Sequence, residues 1–125
     1  MIAAVLALQA VACPQRAGAV ADSGWHAYRA NRIAAAGEHF AVADSLCPGL
    51  PEIEIGLGFV ALRNNGLEEA ERRFAAALRV DSANADAWYG LGLARRRLGR
   101  TDEAITALRR AVVLAPGYDD ARQQL

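Results

Sequence analysis

The chain contains no lysine: all fourteen basic residues are arginine, and fourteen acidic residues balance them to a formal charge of zero. That absence excludes Schiff-base catalysis and the phosphate-binding lysine of a P-loop. The even charge argues against a dedicated nucleic-acid binder, which carries a basic excess. Aromatic residues make up only 6% of the chain within a hydrophobic fraction of 54%, much of it alanine. Such a composition favours packed helices over sheets, because alanine has the best helix propensity and β-branched residues are few. The two cysteines, Cys13 and Cys47, form no CxxC, and with His26 and His39 they show no zinc-ligand spacing. A Cys13–Cys47 disulfide needs an oxidising compartment, and two unrelated cysteines are the plainer reading. There is no GxSxG, HExxH or P-loop, and nothing pairs His26 with a nucleophile. The sequence therefore predicts no enzyme, no cofactor and no metal. Its 125 residues are enough for one domain with a moderate core.

What the chain does have is a period. Offset against itself by 34 residues, it aligns Gly24, Gly58 and Gly92 in one column and Ala36, Ala70 and Ala104 in another. Phe40, Phe74 and Leu108 form a third column, and Ala43, Ala77 and Ala111 a fourth. Leu46, Val80 and Leu114 follow, and Pro48, Ser82 and Pro116 close each unit. The frames are 17–50, 51–84 and 85–118, flanked by an apolar segment at 1–16 and a remnant at 119–125. Each frame reads as two short helices. In the third, Asp86-Ala87-Trp88 opens a helix that Gly99 stops, and Thr101-Asp102-Glu103 begins another with its acids at the positive end of the dipole. Ala104, Leu108, Ala111 and Val112 then form one apolar stripe. In the second, Pro51 stands at the first helical position and Asn64-Asn65-Gly66 makes the same turn.

The period and its columns resemble the tetratricopeptide repeat (TPR) family over 102 of the 125 residues. The third frame matches best, with Trp88, Leu91-Gly92, Ala104, Leu108, Ala111 and Pro116. The second keeps Leu57-Gly58, Ala70, Phe74 and Ala77, with Ser82 in place of proline. The first keeps Gly24, Ala36, Phe40, Ala43 and Pro48, with Val20 and Ser23 in place of the larger apolar pair. The resemblance implies an all-α fold, an α-solenoid of three antiparallel helix-turn-helix hairpins of bacterial type. The glycine columns would let the two helices of a hairpin approach closely, with Ala36, Ala70 and Ala104 opposite them. Residues 119–125 would start a capping helix that packs Leu125 and Ala121 on the last hairpin.

In this family the first helix of each hairpin lines a concave groove. The resemblance places Ala21, Trp25, Tyr28 and Arg29 there from the first hairpin. From the second it places Glu52, Ile55, Phe59, Leu62 and Arg63, and from the third Asp86, Tyr89, Leu93, Arg96 and Arg97. The expected site is a peptide groove floored by Trp25, Tyr28, Ile55, Phe59, Tyr89 and Leu93. Arg63, Arg96 and Arg97 would rim it and hold a carboxylate. The alternative is that these apolar groups pack on neighbouring first helices or under a terminal segment. Chaperone-tail-binding members of the family use a lysine/asparagine/arginine clamp. The corresponding slots here hold residues such as Ala21, Trp25, Ile55 and Phe59, which excludes that clamp. Gly56-Leu57-Gly58-Phe59-Val60-Ala61 fits a dinucleotide-binding string, yet Gly90-Leu91-Gly92 repeats it one period later inside a helical frame.

Charge is uneven beneath the zero total, with net −2 in the second frame and +3 in the third. The run Arg95-Arg96-Arg97 reads as a solvated helix face rather than a nucleic-acid contact. Arg95 alone falls in an inward column, with Ala27 and Ala61, and is expected to reach outward along its stem. Residues 2–13 are nearly all apolar, stop at Pro14 and include the cleavage-like Ala10-Val11-Ala12 before Cys13. They read as an export signal, with Cys13 a candidate lipid acceptor at the membrane, or as an extra helix over the first hairpin. The expected location is periplasmic or exported, with the cytoplasm as the alternative. The expected function is a protein–protein interaction module that binds a peptide or protein in its groove. The alternatives are an assembly subunit stacking through its solenoid ends, or the repeat arm of a larger enzyme.

Overall fold

The computed structural model describes the backbone from Ile2 onward and the side chains from Cys13 onward. The described residues form α1 (Ile2–Arg29), α2 (Ile33–Leu46), α3 (Pro51–Arg63), α4 (Leu67–Val80), α5 (Ala85–Arg97), α6 (Thr101–Leu114) and α7 (Asp119–Gln123). α1 packs on α2, α3 on α4 and α5 on α6 as three hairpins. The hairpins stack through α2 on α3 and α4 on α5, and α7 covers α6. The first helices α1, α3 and α5 also touch in succession, so they share one face. The all-α solenoid of three hairpins with a short final helix is therefore the fold observed.

The turn inside each hairpin repeats to the residue. Asn31, Asn65 and Gly99 lie one period apart, and all take a left-handed backbone, with φ of 61°, 60° and 83°. Asparagine and glycine tolerate that conformation best, which is why they end helices. The following amide reaches back five residues in every case, from Arg32 to Ala27, Gly66 to Ala61 and Arg100 to Arg95. These bonds satisfy carbonyls that the helix end would otherwise leave unpaired. At the other ends, Pro51 stands at the start of α3, and the Asn84 side chain caps α5 by accepting from Ala87 N at 3.1 Å.

Three buried side chains hold the stack together: Phe40, Phe74 and Leu108, all 0% exposed. A methyl group on Gly24 would lie 2.9 Å from the Phe40 ring, and one on Gly58 would lie 2.8 Å from Phe74. On Gly92 it would lie 2.7 Å from Leu108. The nearest neighbours of the glycines are therefore the large column, and the alanines expected opposite them, Ala36, Ala70 and Ala104, come that close only at Gly92, where the Ala104 carbonyl would lie 3.3 Å from the methyl. Those alanines are themselves fully buried. The second glycine of each Gly-Leu-Gly string faces its own hairpin, while the first faces the preceding one. A methyl group on Gly56 would lie 2.5 Å from Phe40, and one on Gly90 would overlap the Phe74 ring. Both strings are helical, so neither is the strand-to-helix loop that a dinucleotide site requires.

Three expectations are corrected at the ends. α1 runs unbroken from Ile2 through Pro14 to Arg29, so the backbone of the apolar run continues the first helix of the first hairpin and is not a separate extra helix. Proline forfeits one backbone bond in a helix interior, and Pro14 does so on an exposed face. Cys13 and Cys47 are not unrelated: they form a disulfide with Cα atoms 5.3 Å apart. Antiparallel pairing of α1 with α2 brings them level, since both lie at nearly equal chain distance from the turn at Asn31. On α7, Ala121 is fully buried as expected, but Leu125 is 55% exposed and does not pack on the last hairpin. The side chains of the apolar run 2–12, with their cleavage-like pattern, lie outside the described residues. No described helix is long and apolar enough to cross a membrane.

Candidate functional site

The shared face of α1, α3 and α5 carries a concave cavity of about 420 Å³. That size suits a bound side chain or short peptide segment. Its walls are Trp25, Tyr28 and Arg29 from α1, Ile55 and Phe59 from α3, and Asp86 and Tyr89 from α5. Tyr118 and Asp120, beside and within α7, close the far end. Helical spacing explains the α1 and α3 contributions: residues four apart, such as Trp25 with Arg29 and Ile55 with Phe59, stand on one helix face.

The rings form a continuous ladder along the groove. Trp25 meets Tyr28 edge-on at 5.6 Å and Phe59 at 6.2 Å. Phe59 lies 6.4 Å from Tyr89, and Tyr89 lies 5.1 Å from Tyr118. The ladder is rooted in the core, because Trp25 also meets Phe40 at 5.0 Å and Phe59 meets Phe74 at 4.9 Å. The rings thus present fixed faces rather than mobile ones. Tyr118 Oη donates to Asp86 Oδ1 at 2.6 Å. Burial, reinforced by that bond to the carboxylate, raises the Tyr118 phenol well above its ordinary value. Burial also raises Tyr89, and the Asp120 carboxylate adds to the effect.

Five of the nine predicted site residues therefore line one cavity: Trp25, Tyr28, Ile55, Phe59 and Tyr89. The other four do not. Leu93 packs into the core against the cluster around Phe74, and Ala21 is buried as well. The three arginines expected at the rim are engaged elsewhere. Arg63 bonds Asn31 Oδ1 and lies over the Tyr28 ring at 5.5 Å. Arg97 donates to the Leu62 carbonyl at 3.1 Å. Arg96 donates to Gln124 Oε1 at 2.5 Å and to the Gln124 carbonyl. Arg63 and Arg97 each reach the end of the preceding hairpin's first helix, where the helix dipole favours a cation. Their counterpart one and two periods earlier, Arg29, belongs to the first hairpin and lines the cavity instead.

Two lining residues escaped the sequence reading. Tyr118 lies at the end of the third frame, outside any first helix, and nothing in the columns marks it. Asp120 was within reach, since it falls one period after Asp86 and two after Glu52. On the outer surface, Arg73 ties α4 to α3 within the second hairpin by pairing with Glu54 at 3.3 Å and Glu69 at 2.8 Å, and it reaches Asp44 of the first hairpin at 4.0 Å. The hydrogen bonds from Arg73 and then Arg72 hold the Glu69 carboxyl below its usual range. Arg95 ends in a second outer cluster, beside Glu71, which Arg100 also binds at 2.8 Å. Its guanidinium has thus reached outward from an inward column. No group of side chains suited to a metal ion occurs among the described residues.

The sequence model of the tetratricopeptide repeat matches residues 56–119, which is just over half of the chain. The chain belongs to this family. Among curated relatives, the peroxisomal targeting signal receptor of Eremothecium gossypii is 32% identical over 88 residues, covering 70% of this chain and 16% of the receptor. Cellulose synthase operon protein C of Komagataeibacter xylinus is 31% identical over 112 residues, covering 90% of this chain and 8% of that protein. The chain spans less than a fifth of the length of either. The Arabidopsis OM64 TPR domain superposes with a TM-score of 0.82 at 24% identity, covering 88% of this chain and 91% of that domain. The first TPR of Spaghetti (RPAP3) bound to HSP90 peptide SRMEEVD superposes with a TM-score of 0.82 at 20% identity, covering 89% and 88%. At these identities the likeness is one of fold. TPR domains of this kind are protein- and peptide-binding modules.

Proposed function

We propose that this TPR domain binds a peptide or protein segment in its concave groove, through the faces of Trp25, Tyr28, Phe59, Tyr89 and Tyr118. The observation that carries the reading is the cavity itself: all three hairpins and the residue before α7 contribute aromatic or apolar walls to one concavity. Rigid aromatic rings are the side chains that most often dominate binding energy at interfaces. The fold neighbour from Spaghetti holds a peptide, which supports the same use of the fold here. The match over 90% of this chain to a Komagataeibacter protein supports the bacterial type.

The compartment we infer is oxidising and outside a bacterial cytoplasm, a reading the Cys13–Cys47 disulfide supports. A lipid thioether at Cys13 would consume the same sulfur, so lipid anchoring and this disulfide exclude each other. Capture of partners by wild type and by Trp25→Ala/Phe59→Ala/Tyr89→Ala tests the function. Tyr89→Ala/Tyr118→Ala serves as a variant that leaves the ring contacts to Phe40 and Phe74 intact. Loss of partners from both folded variants is expected. If both retain every partner and the chain self-associates in solution, the assembly role replaces the groove.

A further inference from the structure

We infer that the segment bound in the groove presents a cationic side chain, arginine or lysine, to the end formed by α5 and α7. The inference rests on the proposed groove and names the chemistry of its occupant. Asp86 and Asp120 both line that end, and neither joins an ion pair among the described residues. The one hydrogen bond from Tyr118 uses a single acceptor position of Asp86, and a carboxylate offers about four. Arg96 and Arg97, the cations expected to receive an acidic partner, are hydrogen-bonded inside the chain to Gln124 and to the Leu62 carbonyl, and neither lines the cavity.

The aromatic walls favour the same ligand. The face of a tyrosine or tryptophan ring is electron-rich and attracts a guanidinium or ammonium group. This protein already uses that attraction internally, where Arg63 lies over Tyr28. Tyr89 and Tyr118 stand beside the two carboxylates, so a long basic side chain would lie along the rings and end between the acids. Arg29 lines the α1 end of the groove and repels a cation there. The opposite charges on α1 and on α5/α7 therefore give the bound segment a direction.

A displayed library of random dodecapeptides, panned on the oxidised full chain, tests this. Selected sequences are then synthesised and titrated by Trp25 and Trp88 fluorescence, alongside copies in which the enriched residue is glutamine. We expect selection of arginine or lysine, and more than fivefold weaker binding of the glutamine copy. Asp86→Asn/Asp120→Asn should weaken the basic peptide and leave the glutamine copy unchanged. Tyr118→Phe removes the bond to Asp86 but not its charge, and should keep the preference for the basic peptide. Selection of acidic or uncharged sequences, or a change of fivefold or less on glutamine substitution, overturns the inference and leaves the groove standing. Selected peptides that bind equally to folded Tyr89→Ala/Tyr118→Ala overturn the groove reading as well.

Discussion

Adding one methyl group at Gly90 should weaken the whole stack, although alanine is the better helix former. Built on the existing backbone, that methyl carbon lies 2.2, 2.3 and 2.7 Å from three atoms of the Phe74 ring. Carbon atoms pack comfortably at about 3.5–4.0 Å, so either the ring or α5 must move by more than an ångström. The ring has little room to move: it is fully buried, Phe59 packs edge-on to it at 4.9 Å, and Gly58 approaches it as closely as glycine allows. Overpacking of this kind costs about 1–3 kcal/mol, against a gain in helix propensity of about 1 kcal/mol. The difference is a net loss of about 0–2 kcal/mol, and a clash of more than an ångström puts it toward the upper end, lowering the melting midpoint by roughly 4–8 °C. Gly18→Ala is the control, because its nearest neighbour would be Glu52 Oε1 at 3.9 Å and only the propensity gain remains. It should raise the midpoint. Phe74→Leu should relieve Gly90→Ala in the double variant, because leucine lacks the far ring atoms that the added methyl meets, with a coupling of about 0.5–3 kcal/mol. Thermal unfolding of the wild type and these four variants by circular dichroism gives the answer. Equal stabilisation by Gly18→Ala and Gly90→Ala, or no coupling to Phe74, would refute the ring-against-glycine account.

Reducing the Cys13–Cys47 bond, or Cys47→Ser, frees a loop closed over 34 residues and should lower stability by roughly 2–4 kcal/mol in urea unfolding. An unchanged midpoint under reductant would show that the bond does not hold α1 to the end of α2. In acid, the depressed Glu69 carboxyl contributes stability above its ordinary value of 4.5 and loses it as the pH falls through the lower folded value. Glu69→Gln should therefore be less stable than wild type at pH 6 and converge with it near pH 2. In alkali the sign reverses. Tyr118 keeps its proton in the folded chain above the ordinary value of 10, while the unfolded chain loses it, so stability falls as the pH rises past 10. Ultraviolet titration should show one phenol that ionises only with unfolding, and Tyr118→Phe should abolish that step.

The fold was legible because its determinants repeat. The turn residues, the glycines and the large buried side chains recur every 34 positions, and each recurrence has one cause, a close helix contact or a left-handed turn. The groove was legible in part for the same reason. Trp25 and Phe59 share one column, and Ile55 and Tyr89 share another. What the columns could not show was where long side chains end. Arg63 and Arg97 sit at groove positions by register, yet their stems carry the charge to the helix ends of the preceding hairpin. The cysteine pair was missed because Cys13 precedes the first frame, which begins at residue 17, so the columns did not set it opposite Cys47. Tyr118 holds the position of Leu50 and Asn84, the residue before each first helix, but no aromatic repeats in that column to mark it.

Phe40 and Phe74 are each held by two glycines from different hairpins, and this separates the unit of sequence from the unit of exchange. Cutting at the frame boundaries leaves each ring with only one of its glycines. A hairpin can be excised without penalty only if the ring before it meets a Gly-Leu-Gly string after it. Removing residues 51–84 satisfies that rule, since Phe40 would then face Gly90 in place of Gly56. Appending a copy of α3 and α4 after α6 breaks it, because Leu108 leaves unfilled the space that a phenylalanine would occupy against Gly56. The modules of this solenoid are thus its rings with their paired glycines, and these straddle the joints between the repeats.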